Sequence, residues 1–266
     1  MARLRLAAEL ARRHDAHLTG LYLVDTMLPI MVPGDPSGGA AVAELLARGQ
    51  EDALAAAAKA EAAFRERLRL DGLAGEWRQV EGSAPAQVAL HARYADLVVV
   101  GQDDRDSGRD WPANAVLEQA LFSSGRPVLA VPYAGRFESV GRRVLVGWNA
   151  SREAARAVND ALPLIAEAES TTVLAVNPKR GPHGHGEEPG ADIALHLARH
   201  GLKVSVEHAA AADVSAGDLL LNRAAELSAD LLVVGAYGHS RLWELVLGGV
   251  TRTLLRQMTV PVLLSH

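Results

Sequence analysis

The chain contains no cysteine, and that one absence removes disulfides, thiolate nucleophiles, iron–sulfur ligation and cysteine-type zinc sites together. Aromatic residues are scarce at 4%, so aliphatic side chains, chiefly Ala, Leu and Val, must build the cores. Basic charge is not in excess. The 27 Lys+Arg against 32 Asp+Glu leave a net charge of −5, which supplies no field for attracting nucleic acid or an anionic membrane. Long hydrophobic runs are missing as well: Glu9 interrupts the N-terminal segment, and no uncharged stretch approaches about 18 residues. The expectation is a soluble cytoplasmic protein with no nucleic-acid or membrane partner. What remains is 49% apolar residues in a chain of 266, enough to fill two domains of roughly 100–200 residues each.

The strongest pattern is an internal repeat. Tyr94-Ala95-Asp96-Leu97-Val98-Val99-Val100-Gly101 matches Ser228-Ala229-Asp230-Leu231-Leu232-Val233-Val234-Gly235, and Arg126-Pro127-Val128-Leu129-Ala130-Val131 matches Val260-Pro261-Val262-Leu263-Leu264-Ser265. Both matches are 134 residues apart, so the connection between the two segments has one length in each half. The chain reads as two copies of one fold, residues 1–137 and 138–266.

In the second copy, strands are expected at 143–147, 172–176, 202–207, 231–235 and 260–264. Helices are expected over 152–167, 191–200, 215–228 and 250–257, with Ser151 capping the first. Strands that are apolar along their whole length, separated by helices, imply a parallel sheet covered on both faces. The fold class is α/β, with two tandem doubly wound, Rossmann-like parallel-sheet domains.

The first copy has no counterpart of Arg143–Gly147. With Val24 aligned on Val176, Met1 falls opposite Glu153, so either the natural start lies upstream or the chain is shortened. The first copy also carries 18 extra residues around the loop 29–39 and an Ala/Glu/Arg-rich helix 40–70. Losing a central strand should make this half the less stable. The final strands 127–131 and 260–264 would be apolar edges in need of covering, so the halves are expected to pair through them about a pseudo-twofold axis. A homodimer of the whole chain is compatible with the same pattern.

After strand 231–235 the chain reads Gly235-x2-Gly238-x9-Gly248-Gly249-Val250-Thr251. A strand that feeds a glycine turn, followed by a glycine pair opening a helix, gives close backbone approach and free N–H groups at a positive helix end. That geometry suits a phosphate chain at the carboxyl end of a strand. The bland reading stays open beside it: Gly235 and Gly238 also suit an ordinary turn, Asn149 also suits a helix cap, and His239 and Arg241 also suit a solvated surface. His183, His185, Glu187 and Glu188 have metal-ligand chemistry but occupy a glycine-rich loop without a rigid scaffold, so no metal site is assigned.

On these residues the chain resembles the universal stress protein family in its tandem form, an adenine nucleotide α-hydrolase-like fold. Gly235, Gly238 and Gly248 match the family's G-x2-G-x9-G-(Ser/Thr) motif, while Gly249 stands where a hydroxyl residue is usual. The resemblance implies ATP, with or without Mg, as the ligand. It places Gly147 and Asn149 near the ribose, Val176 at the adenine, and Gly235, Gly238, His239, Gly248, Gly249, Val250 and Thr251 at the phosphates. It also implies a role in stress response or regulation without catalysis. In the first copy only Gly101 of this motif survives, and the loop Gln102-Asp103-Asp104-Arg105-Asp106 is acidic, so that half is expected not to bind. A ligand-free scaffold and a slow ATPase are the alternatives.

Overall fold

The computed structural model describes residues 2–24, 39–102, 115–178, 187–210, 214–236 and 249–266. The first half contributes α1 (Ala2–Arg13), β1 (Leu18–Val24), α2 (Gly39–Asp71), β2 (Gly75–Glu81), α3 (Ala84–Ala92), β3 (Val98–Gly101), α4 (Ala115–Ser123) and β4 (Val128–Val131). The second contributes β5 (Arg143–Gly147), α5 (Arg152–Ile165), β6 (Ser170–Val176), α6 (Ala191–Arg199), β7 (Val204–Ala209), α7 (Ala216–Glu226), β8 (Leu231–Gly235), α8 (Gly249–Gln257) and β9 (Val262–Ser265). Local chemistry sets several of these starts. The Ser151 hydroxyl accepts the Ala154 N–H at 3.1 Å to open α5, and the Ser215 hydroxyl accepts the Asp218 N–H at 3.1 Å to open α7.

In the second half, five parallel strands lie in the order β7-β6-β5-β8-β9. The winding reverses between β5 and β8, the switch point where open α/β sheets leave a crevice at the strands' carboxyl ends. The sheet then continues into the first half. β9 pairs antiparallel with β4, and β4 pairs with β3, giving one seven-stranded sheet. Leu129 lies opposite Leu263, its equivalent in the repeat, so this pair sits on the pseudo-twofold axis expected from the sequence. Val128 opposite Leu264 and Ala130 opposite Val262 exchange across it.

The place that β5 takes in the second half has no strand in the first among the described residues. β1 and β2 form a separate two-stranded parallel sheet, and β3 ends the larger one. Burial records the consequence. Leu231–Val234 of β8 are buried, whereas the equivalent strand β3 is half-buried throughout.

Two details of the alignment change. Gly20 and Tyr22 face α2, where Tyr22 stacks on Trp77, while Leu21 and Leu23 pack into the same core as Leu174. Aligning Val24 on Val176 would put those faces the wrong way round, because a one-residue slip in a strand inverts every side chain. The extra length of the first half is more local than expected: it falls between β1 and β2, and the stretch from Glu81 to Val98, six residues shorter than that from Ala209 to Leu232, returns the net excess to 18. Val24 pairs with Glu81, 57 residues on, and Val176 with Ala209, 33 residues on. The difference of 24 equals the excess of the 33-residue α2 over the 9-residue α6.

Two apolar clusters, one on each face of the sheets, draw on both halves. Leu6 and Leu10 of α1 join Val158, Ile165 and Leu197 on one side, and Leu117 and Leu121 join Leu220, Leu254 and Leu255 on the other. Arg13, at the end of α1, ties the halves together by donating to the Val140 carbonyl at 2.8 Å and the Leu164 carbonyl at 3.3 Å. Among the described residues no helix is long and apolar enough to cross a membrane.

Candidate functional site

The switch-point end of the sheet is built from the ends of three strands and the start of one helix. β5 ends at Gly147, which pairs with Leu174 on one side and Val234 on the other. β8 ends at Gly235 beside it, and β6 runs two residues beyond the end of β5, to Val176. α8 follows β8 and precedes the parallel strand β9, so its N-terminus, Gly249-Val250-Thr251, returns to this same end of the sheet. The structure therefore brings Gly147, Asn149, Val176, Gly235, Gly249, Val250 and Thr251 to one end of the second half. Gly238, His239 and Gly248 lie outside the described residues, as do Arg241 and the pair His183 and His185.

The glycines divide by what surrounds them. A side chain at Gly235 would overlap the backbone of Glu153 and Ala154, so this glycine lets α5 start hard against the end of β8. At Gly147 a Cβ would come within 2.9 Å of Val234 and 3.2 Å of Leu220, again a demand of packing. Gly249 is different. It is exposed, and a Cβ there would meet none of the described residues within 4 Å. Among the described residues, packing gives no reason for glycine at that position. Behind it, α7 holds α8 in place: a Cβ at Gly217 would stand 2.7 Å from Thr253 and 3.2 Å from the Val250 carbonyl.

Asn149 is exposed, and its carboxamide oxygen accepts the Ser151 N–H at 3.1 Å. Together with Ala150 in the left-handed region, at φ 57°, it forms the turn that presents Ser151 as the cap of α5. Ser151 is the cap itself, and Asn149 supports it through this turn. Glu153, in the first turn of α5, is buried at 5% exposure. Burial alone would raise its carboxyl. Hydrogen bonds from Arg152, its own backbone and Ser151, with the charge of Arg152, outweigh that and hold it below the usual carboxylate range.

The first half uses the equivalent place for fastening. Gln102, directly after β3, is buried; its side-chain amide donates to the Leu255 carbonyl of α8 at 2.9 Å, and its oxygen accepts the Tyr133 N–H at 3.2 Å. Sequence reasoning took Gln102 as the start of an acidic loop and missed this strut. It also missed Asp230, whose carboxylate accepts three consecutive backbone N–H groups, from Gly141 at 3.0 Å, Arg142 at 3.1 Å and Arg143 at 3.0 Å, at the foot of β5. The signal for it was the repeated Ala-Asp-Leu. A cleft of about 520 Å³ lined by Arg5, Glu9, Arg12, Arg67 and Arg136 includes none of the expected site residues.

Comparisons with known proteins agree with this architecture. A universal stress protein from Archaeoglobus fulgidus DSM 4304 superposes with a TM-score of 0.66 at 16% identity, over 98% of this chain and 92% of that one. A functionally unknown protein from Pseudomonas aeruginosa PAO1 superposes with a TM-score of 0.58 at 15% identity, over 97% and 85%. A universal stress protein in complex with cAMP covers 48% of this chain with 99% of its own, at 23% identity and a TM-score of 0.37. No curated relative matches the chain. The family model of universal stress proteins matches twice, over residues 2–132 and 141–266, so nearly every residue is accounted for by two successive copies, and the chain belongs to the universal stress protein family.

Proposed function

We propose that the second half binds one adenine nucleotide, ATP, at the switch-point crevice, and that the protein is a nucleotide-responsive regulator acting in the stress response in the cytoplasm, without turning the nucleotide over. The observation that carries this reading is Gly249: an exposed glycine with no described residue within 4 Å of where its Cβ would stand, at the N-terminus of α8, in a helix that α7 holds in place. The N–H groups of a first helical turn and the positive helix end favour phosphate. In this reading Asn149 donates toward the ribose and the chain end of β6 at Val176 meets the base. Magnesium would enter as the phosphates' own counter-ion, because the described residues hold no cluster of three His, Asp or Glu side chains.

Titration calorimetry of the full chain with ATP tests this. Binding with a stoichiometry near one is expected. Gly249→Asp should weaken it at least tenfold, because a carboxylate would occupy the phosphate position, while thermal stability stays level or rises, since an acidic residue suits a helix start. Unchanged affinity in that variant, a stoichiometry near two, or no binding at all would overturn the reading. ADP produced during a long incubation at a rate tracking the protein would favour the slow-ATPase alternative, and absence of any nucleotide binding would favour a scaffold.

A further inference from the structure

We propose that the cleft walled by α1, the end of α2 and the segment joining β4 to β5 binds a small phosphorylated polyol, of the sugar phosphate class, at a site separate from the switch point.

Three observations meet there. First, the cleft has a ligand's size and is built from distant parts of the chain. Its volume is about 520 Å³, inside the range of roughly 300–1,000 Å³ usual for small-molecule sites. Arg5, Glu9 and Arg12 line it from one face of α1, Arg67 and Asp71 from the end of α2, and residues 135–138 from the joining segment. Secondly, most of its cations are uncommitted. Arg67 pairs with Asp71 at 2.6 Å, but Arg5, Arg12 and Arg136 are exposed and make no hydrogen bond or ion pair among the described residues. Guanidinium groups gathered around one cleft repel one another until an anion joins them, and the planar fork of each matches two phosphate oxygens. This gathering runs against the net charge of −5 carried by the chain. Thirdly, the wall holds polar atoms without partners. Glu9 stands four residues from Arg5 and three from Arg12, spacings at which helix ion pairs form, yet it pairs with neither, and its Oε2 is buried and unpartnered. The Nε of Arg67 is buried and unpartnered as well. Each such atom costs free energy until something meets it.

These features select the ligand. A bare polyanion would meet Glu9 and Glu138 as like charges, and a neutral sugar would leave the three free arginines unanswered. A phosphate on a hydroxyl-bearing body satisfies both sets. The phosphate accepts from Arg5, Arg12 and Arg136, and the hydroxyl groups donate to the carboxylates of Glu9 and Glu138. Phe137, half-buried against the core that α1 shares with α5, offers an apolar wall to the carbon skeleton. Gly135, at φ 105°, lets the joining segment fold over that ring, since a Cβ there would stand 2.9 Å from it.

Titration calorimetry tests this on the full chain and on its Gly249→Asp variant, which puts a carboxylate at the first turn of α8, with glucose 6-phosphate, inorganic phosphate and glucose as probes. One-to-one binding of glucose 6-phosphate is expected in both proteins, weaker at higher salt, about tenfold tighter than inorganic phosphate, and with no binding of glucose. Arg12→Gln and Arg136→Gln should each weaken it about tenfold while the melting temperature holds, because both side chains are exposed and without partners among the described residues. Absence of saturable binding, equal affinity for glucose 6-phosphate and inorganic phosphate, or indifference to either arginine change would overturn the proposal. Binding present in the parent and lost in Gly249→Asp would overturn it too, by placing the probe at the switch point.

Discussion

Two aspartates at the same position in the repeat show how far a residue's worth depends on what stands beside it. Asp230 accepts three backbone N–H groups at 3.0–3.1 Å, and Asp96 accepts none among the described residues. Charge-assisted hydrogen bonds of this kind stabilise more than neutral ones, and removing the acceptor leaves the donors without a protein partner. Asp230→Ala should therefore cost about 2 kcal/mol in chemical denaturation, while Asp96→Ala costs under about 0.5 kcal/mol. Comparable losses from both would refute the assignment of the clamp. Glu153 gives a pH signature. Its carboxyl is held below the usual range, so its contribution is complete above the ordinary glutamate pKa and disappears as the pH falls through the depressed value. Glu153→Gln should lower stability at pH 7 by on the order of 1 kcal/mol and flatten the acid limb of the stability curve. An acid limb as steep as in the parent would count against it. The glycine motif was legible as a pattern, but its division of labour was not. Gly235 and Gly249 look alike in sequence, and only the structure shows Glu153 and Ala154 pressed against one and no described residue against the other.

Among the elements, β5, β8 and β9 were readable because they are apolar along most of their length, and α5 because Ser151 opens it. The register of β1 was not. Gly20-Leu21-Tyr22-Leu23 has apolar or small residues on both faces, so the sequence cannot say which set faces α2, and the aromatic contact of Tyr22 with Trp77 decides it. The helix pair α4 and α8 carries a further consequence of duplication. Glu118 and Arg252 occupy equivalent positions, 134 residues apart, in the two helices. In a symmetric pair of identical copies such a position would hold like charges, whereas here the charges are opposite. Burial raises the Glu118 carboxyl, and the charge of Arg252 partly offsets this. An acid whose folded pKa is raised adds stability below its ordinary pKa and loses it as the pH rises, so removing the offsetting cation should hurt most when Glu118 is ionised. Arg252→Ala should thus destabilise at pH 7 by up to about 1 kcal/mol, a limit set by the exposure of Arg252, and have little effect at pH 4. Equal loss at both values would refute an interaction between Arg252 and the ionised Glu118.

At the scale of the whole molecule, the cooperative unit does not coincide with the repeat. β4 belongs to the first copy by sequence, yet its residues are fully buried in the seven-stranded sheet, where Leu129 meets Leu263 across the axis. Among the described residues β1 and β2 have no central neighbour, and their residues are mostly half-buried or exposed. Amide exchange free energy follows burial and strand pairing, with the largest values in strands that open only on global unfolding. Native-state hydrogen exchange should accordingly place β4 with β9, β8 and β5 in the most protected class, β3 below them because one of its edges is open, and β1 and β2 in a class that opens several kcal/mol more easily. Leu129→Ala, at a position with no exposure, should cost roughly 2–5 kcal/mol and lower protection in β9 as well as in β4, since the cavity opens on the axis between the halves. If instead protection fell together through the whole of residues 2–132 and left 141–266 untouched, the two repeats would unfold as separate bodies, and the sheet that joins them would contribute no cooperativity.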